Sequence, residues 1–140
     1  MAEPEVRVVH VFVYGTLTDP DRVDEVLAAR TWSFVGDATL RGLRRVDGRY
    51  PTLAPGGEVD GRLLETDAVD ALDAYEGVAR GLYVRVDVPT AGFEDGTAAV
   101  YVGDPDRLDV TESVAWPGDD DLGARVRRYV DANDVSIVPR

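Results

Sequence analysis

Polar and apolar positions repeat along the chain with periods that name most of its elements. In RVVHVFVYGTL, β-branched and apolar residues follow one another without alternation, the pattern of a strand buried on both faces. It ends in Gly15. Thr18, Asp19 and Pro20 then supply a capping side chain and a first-turn proline, which predicts a helix start. Val23, Val26 and Leu27 follow at helical spacing. From Ser33 to Val46, Phe34, Ala38 and Leu40 alternate with Val35, Asp37, Thr39 and Arg41, predicting strands broken at Gly42. RYPTLAPGG reads as a loop or irregular edge, and EVDGRLLE as a strand with Val59 and Leu63 on one face.

DAVDALDAYEG, Asp67 to Gly77, reads as a short helix. At about 100° per residue, Ala68, Val69, Leu72 and Tyr75 form one stripe and Asp67, Asp70 and Asp73 the wet side. Glu76 joins neither; it projects between Val69 and Leu72. Gly77 closes the helix as a C′ residue. In LYVRVDV, Leu82, Val84, Val86 and Val88 face inward, while Tyr83, Arg85 and Asp87 face out or line a cavity. AGFEDG connects this strand to GTAAVYVG. A last helix carries Leu122, Val126, Tyr129 and Val130 on its apolar face. Its Asp119–Asp121 start and its Arg125, Arg127 and Arg128 suit the two ends of the helix dipole. Strands with helices placed irregularly among them predict an α+β fold with a largely antiparallel sheet or small barrel. The 140 residues suit one domain, residues 1–140, and no repeat or linker divides them.

Charge narrows the partners. Asp and Glu number 27 against 15 basic residues, for a formal net charge of −12. All 15 are arginine. Nucleic acid and anionic membranes both require basic patches, so neither is expected as a partner. A cytoplasm rich in salt favours such an acidic surface; a GC-rich genome also favours Arg over Lys, though not so many Asp. Self-repulsion favours a monomer at low salt, an effect that molar salt screens away. No apolar run approaches the roughly 20 residues of a membrane span. MAEPEVR carries acids where a signal peptide carries basic residues and then an apolar stretch. A soluble, cytoplasmic protein is expected.

The available chemistry is restricted. There is no cysteine and one histidine, His10, set among valines; a half-buried or core imidazole is its expected role, and neither thiol catalysis nor a zinc site follows. Ser33, Ser113 and Ser136 lack a nucleophile-elbow setting. Without lysine there is no Schiff base and no Walker-type phosphate loop. No calcium-loop spacing is present. Carboxylates and backbone dipoles remain. YGTL, Tyr14 to Leu17, places a glycine where a buried strand ends, so that successive N–H groups can cradle an anion or polarise a carbonyl; the same pattern also serves an ordinary strand–loop–helix turn. Glu76, partly removed from water at the negative end of a helix dipole, is placed to hold a proton more tightly than a free carboxylate. It also fits as the last member of a solvated acidic row, since a spacing of three drifts about 60° per step.

Taken in order, VFVYGTLTDPDRVDEVL, RYPTLAPGGEVDGRLLE, ALDAYEG and LYVRVDV resemble the γ-glutamylcyclotransferase-like superfamily, especially its AIG2-like branch with γ-glutamylamine cyclotransferase. The resemblance runs from about Val11 to Val102. It implies a small, mixed and largely antiparallel β-barrel flanked by a few helices. It also implies that Tyr14, Gly15, Thr16 and Leu17 form the substrate-binding loop and that Glu76 is the catalytic glutamate. Tyr50, heading the YP segment, and Tyr83 match aromatics of the pocket wall; ordinary packing in the sheet accounts for either equally well. Arg85 fits a surface ion pair. The chain departs from the family pattern in VARG, between Gly77 and Tyr83, where a spacing longer than the pocket tolerates displaces Tyr83.

The activity implied is release of 5-oxoproline from a γ-glutamyl amide or dipeptide, with Glu76 as general base and then acid and with no metal or organic cofactor. Two alternatives stay open: a binding module that keeps the pocket and catalyses nothing, and a hydrolase in which Glu76 activates water. Nothing in the sequence identifies the leaving amine.

Overall fold

The computed structural model describes residues 8–140 apart from 29, 94, 95, 111 and 113. The acidic lead Met1–Arg7, Ser113, and Glu94 and Asp95 of the AGFEDG connection therefore lie outside the described residues.

Among those residues are strands β1 (Val9–Val13), β2 (Trp32–Val46), β3 (Thr52–Thr66), β4 (Tyr83–Pro89), β5 (Thr97–Gly103) and β6 (Ser136–Pro139), and helices α1 (Pro20–Leu27), α2 (Val69–Glu76) and α3 (Leu122–Ala132). The strands form one sheet in the order β4-β5-β1-β3-β2-β6. The pair β1–β5 is parallel and the other neighbours are antiparallel. The outer strands approach each other where Thr90 bridges Ile137 and the Ala91 amide donates to the Ile137 carbonyl at 2.9 Å. The sheet thus curls into a partly closed barrel, the α+β architecture expected.

The helix starts follow the sequence. Asp19 caps α1 by accepting from the Asp21 amide at 3.0 Å, with Pro20 in the first turn. Asp121 caps α3 by accepting from the Ala124 amide at 2.9 Å. Gly77 ends α2 in the left-handed region, φ 69°, which glycine adopts without steric cost.

The unbroken apolar run in β1 is explained by two cores, one on each face of the sheet. Phe12 joins Leu40, Leu53, Leu63, Val100 and Ile137 inside the barrel, whose end is closed by Val126 and Val130 of α3. Val11 and Val13 join Leu64, Ala99 and Tyr101 on the other face, beneath Val23 and Leu27 of α1 and Leu72 of α2. Leu72 is fully buried, a contribution of about 1.5–3 kcal/mol that holds α2 against the sheet.

Several expectations are corrected. β2 is not broken at Gly42: the register shifts between Arg41 and Leu43 and the strand continues. Gly42 has φ 102°, and a Cβ there would meet Val135 Cγ2 at 2.8 Å. It is a bulge that bends the strand and admits the chain leading into β6. Thr52–Gly57, expected as loop, is the first part of β3, with Thr52, Leu53 and Ala54 buried and paired to Val46, Arg45 and Arg44. Pro55 lies opposite Leu43 at the bulge, and Gly56 and Gly57 take φ 95° and 75°; turn-forming residues here serve curvature rather than termination. β6 went unforeseen, because four residues on the β2 edge are too few to show a period. Tyr75 is not a core residue but 38% exposed, and Leu82 precedes β4 and packs on the α2 side of the sheet. No helix among the described residues is long and apolar enough to cross a membrane.

Candidate active site

A cavity of about 520 Å³ opens between the loop after β1, the C-terminal end of α2, the segment entering β3, and the face of β4 and β5 that carries Tyr83 and Tyr101. Its volume suits a small molecule. Tyr14, Gly15, Thr16, Leu17, Tyr50, Glu76 and Tyr83 all line it, so one cavity collects every site residue named from the sequence.

The YGTL segment is held from several sides. Leu17 is buried under α1 and α2. Thr16–Thr18 form one 3-10 turn, in which the Thr18 amide and hydroxyl both donate to the Gly15 carbonyl, at 3.1 and 2.7 Å. Arg45 Nη1 donates to the Tyr14 carbonyl at 3.2 Å. Amides that open such a turn find no acceptor within it. A Cβ on Gly15 would touch the Pro51 ring at 3.4 Å, so glycine keeps the loop close to the opposite wall. Thr16 and Tyr75 share a hydrogen bond of 2.9 Å between their hydroxyls, tying the loop to α2 across the cavity mouth.

Glu76 occupies the last position of α2, at the cavity wall. Among the described residues, neither a cation nor a hydrogen-bond donor meets its carboxylate. Burial alone therefore acts on it and raises its pKa from 4.5 to about 7, because a low-dielectric setting disfavours the charged form.

Three tyrosine hydroxyls share this surface, and each spends its proton elsewhere. Tyr14 donates to the Tyr101 carbonyl, Tyr83 to the Pro51 carbonyl and Tyr101 to Asp73 Oδ1, each at 2.6 Å. Removal from water raises all three phenol pKa values, and the charge of Glu76 raises each further. They stay protonated at physiological pH. What each oxygen has left to offer the cavity is acceptor capacity, part of which Tyr14 gives to the Thr52 hydroxyl, and beside the Glu76 carboxylate this makes a floor of acceptors.

VARG does not displace Tyr83. Val78–Arg80 coil into one 3-10 turn between Gly77 and Gly81, both left-handed at φ 69° and 75°, and β4 starts in register with β5. Arg85 forms the ion pair expected as its alternative to a pocket role: it meets Asp73 at 2.9 and 3.3 Å. His10 is half-buried and faces Glu65 across β1 and β3 at 3.1 Å. Sequence reasoning missed Tyr101, Leu82, and Arg22, Arg49 and Arg80, which also line the cavity. The phenol inside the apolar strand TAAVYVG was a usable signal for Tyr101; exposed arginines gave none. Among the described residues, no three His, Asp or Glu side chains gather as a metal site requires.

A family model described as gamma-glutamyl cyclotransferase, AIG2-like matches residues 11–118. AIG2-like protein A of Arabidopsis thaliana is 43% identical over 76 residues, 49% of this chain and 45% of that protein; the match thus spans less than half of that relative. A solved gamma-glutamyl cyclotransferase superposes with a TM-score of 0.58 at 22% identity, covering 70% of this chain and 68% of its own. An uncharacterised protein of Pyrococcus horikoshii gives a TM-score of 0.52 at 22% identity, covering 68% and 77%. These two bear on the fold. An Arabidopsis thaliana protein solved in solution gives 0.55 at 28% identity, covering 92% and 87%. With its family model matched over most of its length, the chain belongs to the gamma-glutamyl cyclotransferase, AIG2-like family.

Proposed function

We propose that this protein cyclises a γ-glutamyl amide or dipeptide to 5-oxoproline and a free amine, with Glu76 moving the protons. The observation that carries the reading is the Glu76 carboxylate, without a partner among the described residues, in one cavity with the YGTL loop. The substrate's α-ammonium sits on the acceptor floor of Glu76 and the Tyr14, Tyr83 and Tyr101 oxygens. Its α-carboxylate, or the oxyanion that develops on the γ-carbonyl, faces the backbone N–H groups of Gly15 to Leu17.

Glu76 takes a proton from the ammonium, and the freed amine attacks the γ-carbonyl of the same molecule. The N–Cγ bond forms and the bond to the leaving nitrogen breaks. Two protons leave the α-nitrogen as it becomes the lactam N–H; both end on the departing amine, carried in turn by Glu76. A pKa of about 7 rather than 4.5 makes the first transfer about 3 kcal/mol less uphill than to a solvated glutamate. Nucleophile and electrophile belong to one molecule, so folding it into a near-attack shape supplies further acceleration.

The test is 5-oxoproline release from γ-glutamyl amino acids and γ-glutamylamines, in low and molar salt, with Glu76→Gln as control. Turnover by the native protein and its loss in the variant support the proposal. Free glutamate in place of 5-oxoproline makes the protein a hydrolase. Saturable binding without product makes it a binding module, and equal activity of the two proteins removes Glu76 from the mechanism.

A further inference from the structure

The cavity reverses the charge balance of the chain around it. Acids outnumber arginines 27 to 15 in the whole sequence, yet the cavity wall carries Arg22, Arg49 and Arg80 against one carboxylate, Glu76. Arg22 lies 3.8 Å from Glu25 and Arg49 lies 3.5 Å from Asp109, in pairs whose side chains are all about half exposed or more. Such pairs are weak and exchange readily for a ligand's carboxylate. The Arg80 side chain has no ion pair or hydrogen bond among the described residues. Its guanidinium folds back over Gly77, with Nη2 3.1 Å from where a Cβ on that glycine would stand. The turn between Gly77 and Gly81 therefore brings an unspent cation back over the end of α2, close in sequence to Glu76 and not paired with it.

This inference rests on the γ-glutamyl reading of the floor. With the glutamyl head on the acceptor floor, the arginines meet whatever is attached to the γ-carbonyl. Among the described residues Arg80 has no carboxylate to give up, and Arg22 and Arg49 hold Glu25 and Asp109 only in exposed pairs that a ligand's carboxylate can replace. The glutamyl head is a zwitterion and answers none of them, so carboxylates on the leaving half are the groups these guanidiniums can take. We propose that the preferred leaving half is an acidic amino acid, or a short peptide ending in one, whose two carboxylates are taken by Arg80 and by Arg22 or Arg49. A cationic leaving amine meets three like charges at the same place, and a neutral alkylamine leaves Arg80 unanswered and Arg22 and Arg49 with Glu25 and Asp109.

The experiment compares γ-glutamyl-glutamate, γ-glutamyl-glutamine and γ-glutamyl-propylamide at low salt, similar in reach and differing in charge. The expected kcat/KM rises about fivefold from propylamide to glutamine conjugate and about fivefold again to the glutamate conjugate, as for one partly exposed ion pair each. Arg80→Gln brings the glutamate-to-glutamine ratio close to one, Arg80→Lys restores part of it, and molar salt narrows it. Calorimetric binding of the same three compounds to Glu76→Gln protein reads the preference without turnover. A ratio of one or below in native turnover overturns the acidic subsite while leaving cyclisation intact. The expected order in binding, with no 5-oxoproline from the native protein, keeps the subsite and overturns cyclisation. Neither binding nor turnover of any of the three overturns both.

Discussion

The middle of α2 and its C-terminal end carry carboxylates one helical turn apart, and the protein treats them in opposite ways. Asp73 accepts from Arg85 Nε and from the Tyr101 hydroxyl, at 2.9 and 2.6 Å, so its charge is answered from β4 and β5 and it fastens the helix to the sheet. Glu76 is given no partner among the described residues and has its pKa raised to about 7 by burial. One acid is spent on structure. The other is withheld from it, and a group free of structural obligations can change protonation state without breaking a contact. The difference is not in the residue type; it lies in which neighbours the sheet presents at each position.

The sharpest way to break this comparison is to neutralise each acid in turn. Glu76→Gln is expected to lower kcat/KM for γ-glutamyl substrates by at least about a hundredfold. If the native protein cyclises as proposed, the rising limb of its kcat/KM against pH is expected near 7, not near 4.5; a limb near 4.5 would move the proton transfer to another group.

The same variant has the opposite effect on stability. Below about pH 4.5 Glu76 is neutral both folded and unfolded, and it costs nothing. Between 4.5 and 7 the unfolded chain releases the proton while the folded protein retains it, so stability falls as pH rises. Above 7 the full penalty, about 3 kcal/mol, is present. Urea denaturation is therefore expected to find Glu76→Gln more stable than the native protein at pH 8 and equal to it at pH 4.

Asp73→Ala is expected to destabilise by about 2 kcal/mol at neutral pH, because it strips a charged acceptor from Arg85 and Tyr101; the same titration measures it. An unchanged midpoint would mean that Asp73 does not fasten the helix. The smallest effect expected is that of Tyr75→Phe, which removes one exposed hydrogen bond to Thr16. Stability should change by less than about 0.5 kcal/mol, with KM rising about twofold as the loop loosens.

The legible parts of the site were those written within one element. YGTL announced a close backbone approach, Glu76 stood out by helical angle, and Gly77 signalled the left-handed residue that ends α2. Thr18–Pro20 and Asp119–Asp121 bracketed two helix starts, whose caps are Asp19 and Asp121. What stayed hidden depends on residues far apart in sequence. The acceptor floor needs Tyr14 and Tyr83 to spend their protons on carbonyls of residues 101 and 51, which no local pattern encodes. Pro55, Gly56 and Gly57 are turn formers by type, yet they lie in β3 because Leu43 to Val46 pair with that stretch across a bulge. β6 exists only because β2 offers an edge for it. The arginines of the cavity wall look like any exposed arginines until the fold gathers them.

The two left-handed glycines that bracket Val78–Arg80 separate two inheritances. Gly77 finishes α2, and with it the position of Glu76; Gly81 hands the chain to β4 with Tyr83 already in register. Of the three residues between them, Val78 packs on the core beneath α2 while Ala79 and Arg80 are exposed, so the last two can change side chain while both neighbours stay fixed. Selection, or an engineer, can recut the mouth of the cavity at these two positions and, on the cyclisation proposed above, meet a new leaving group with Glu76 untouched.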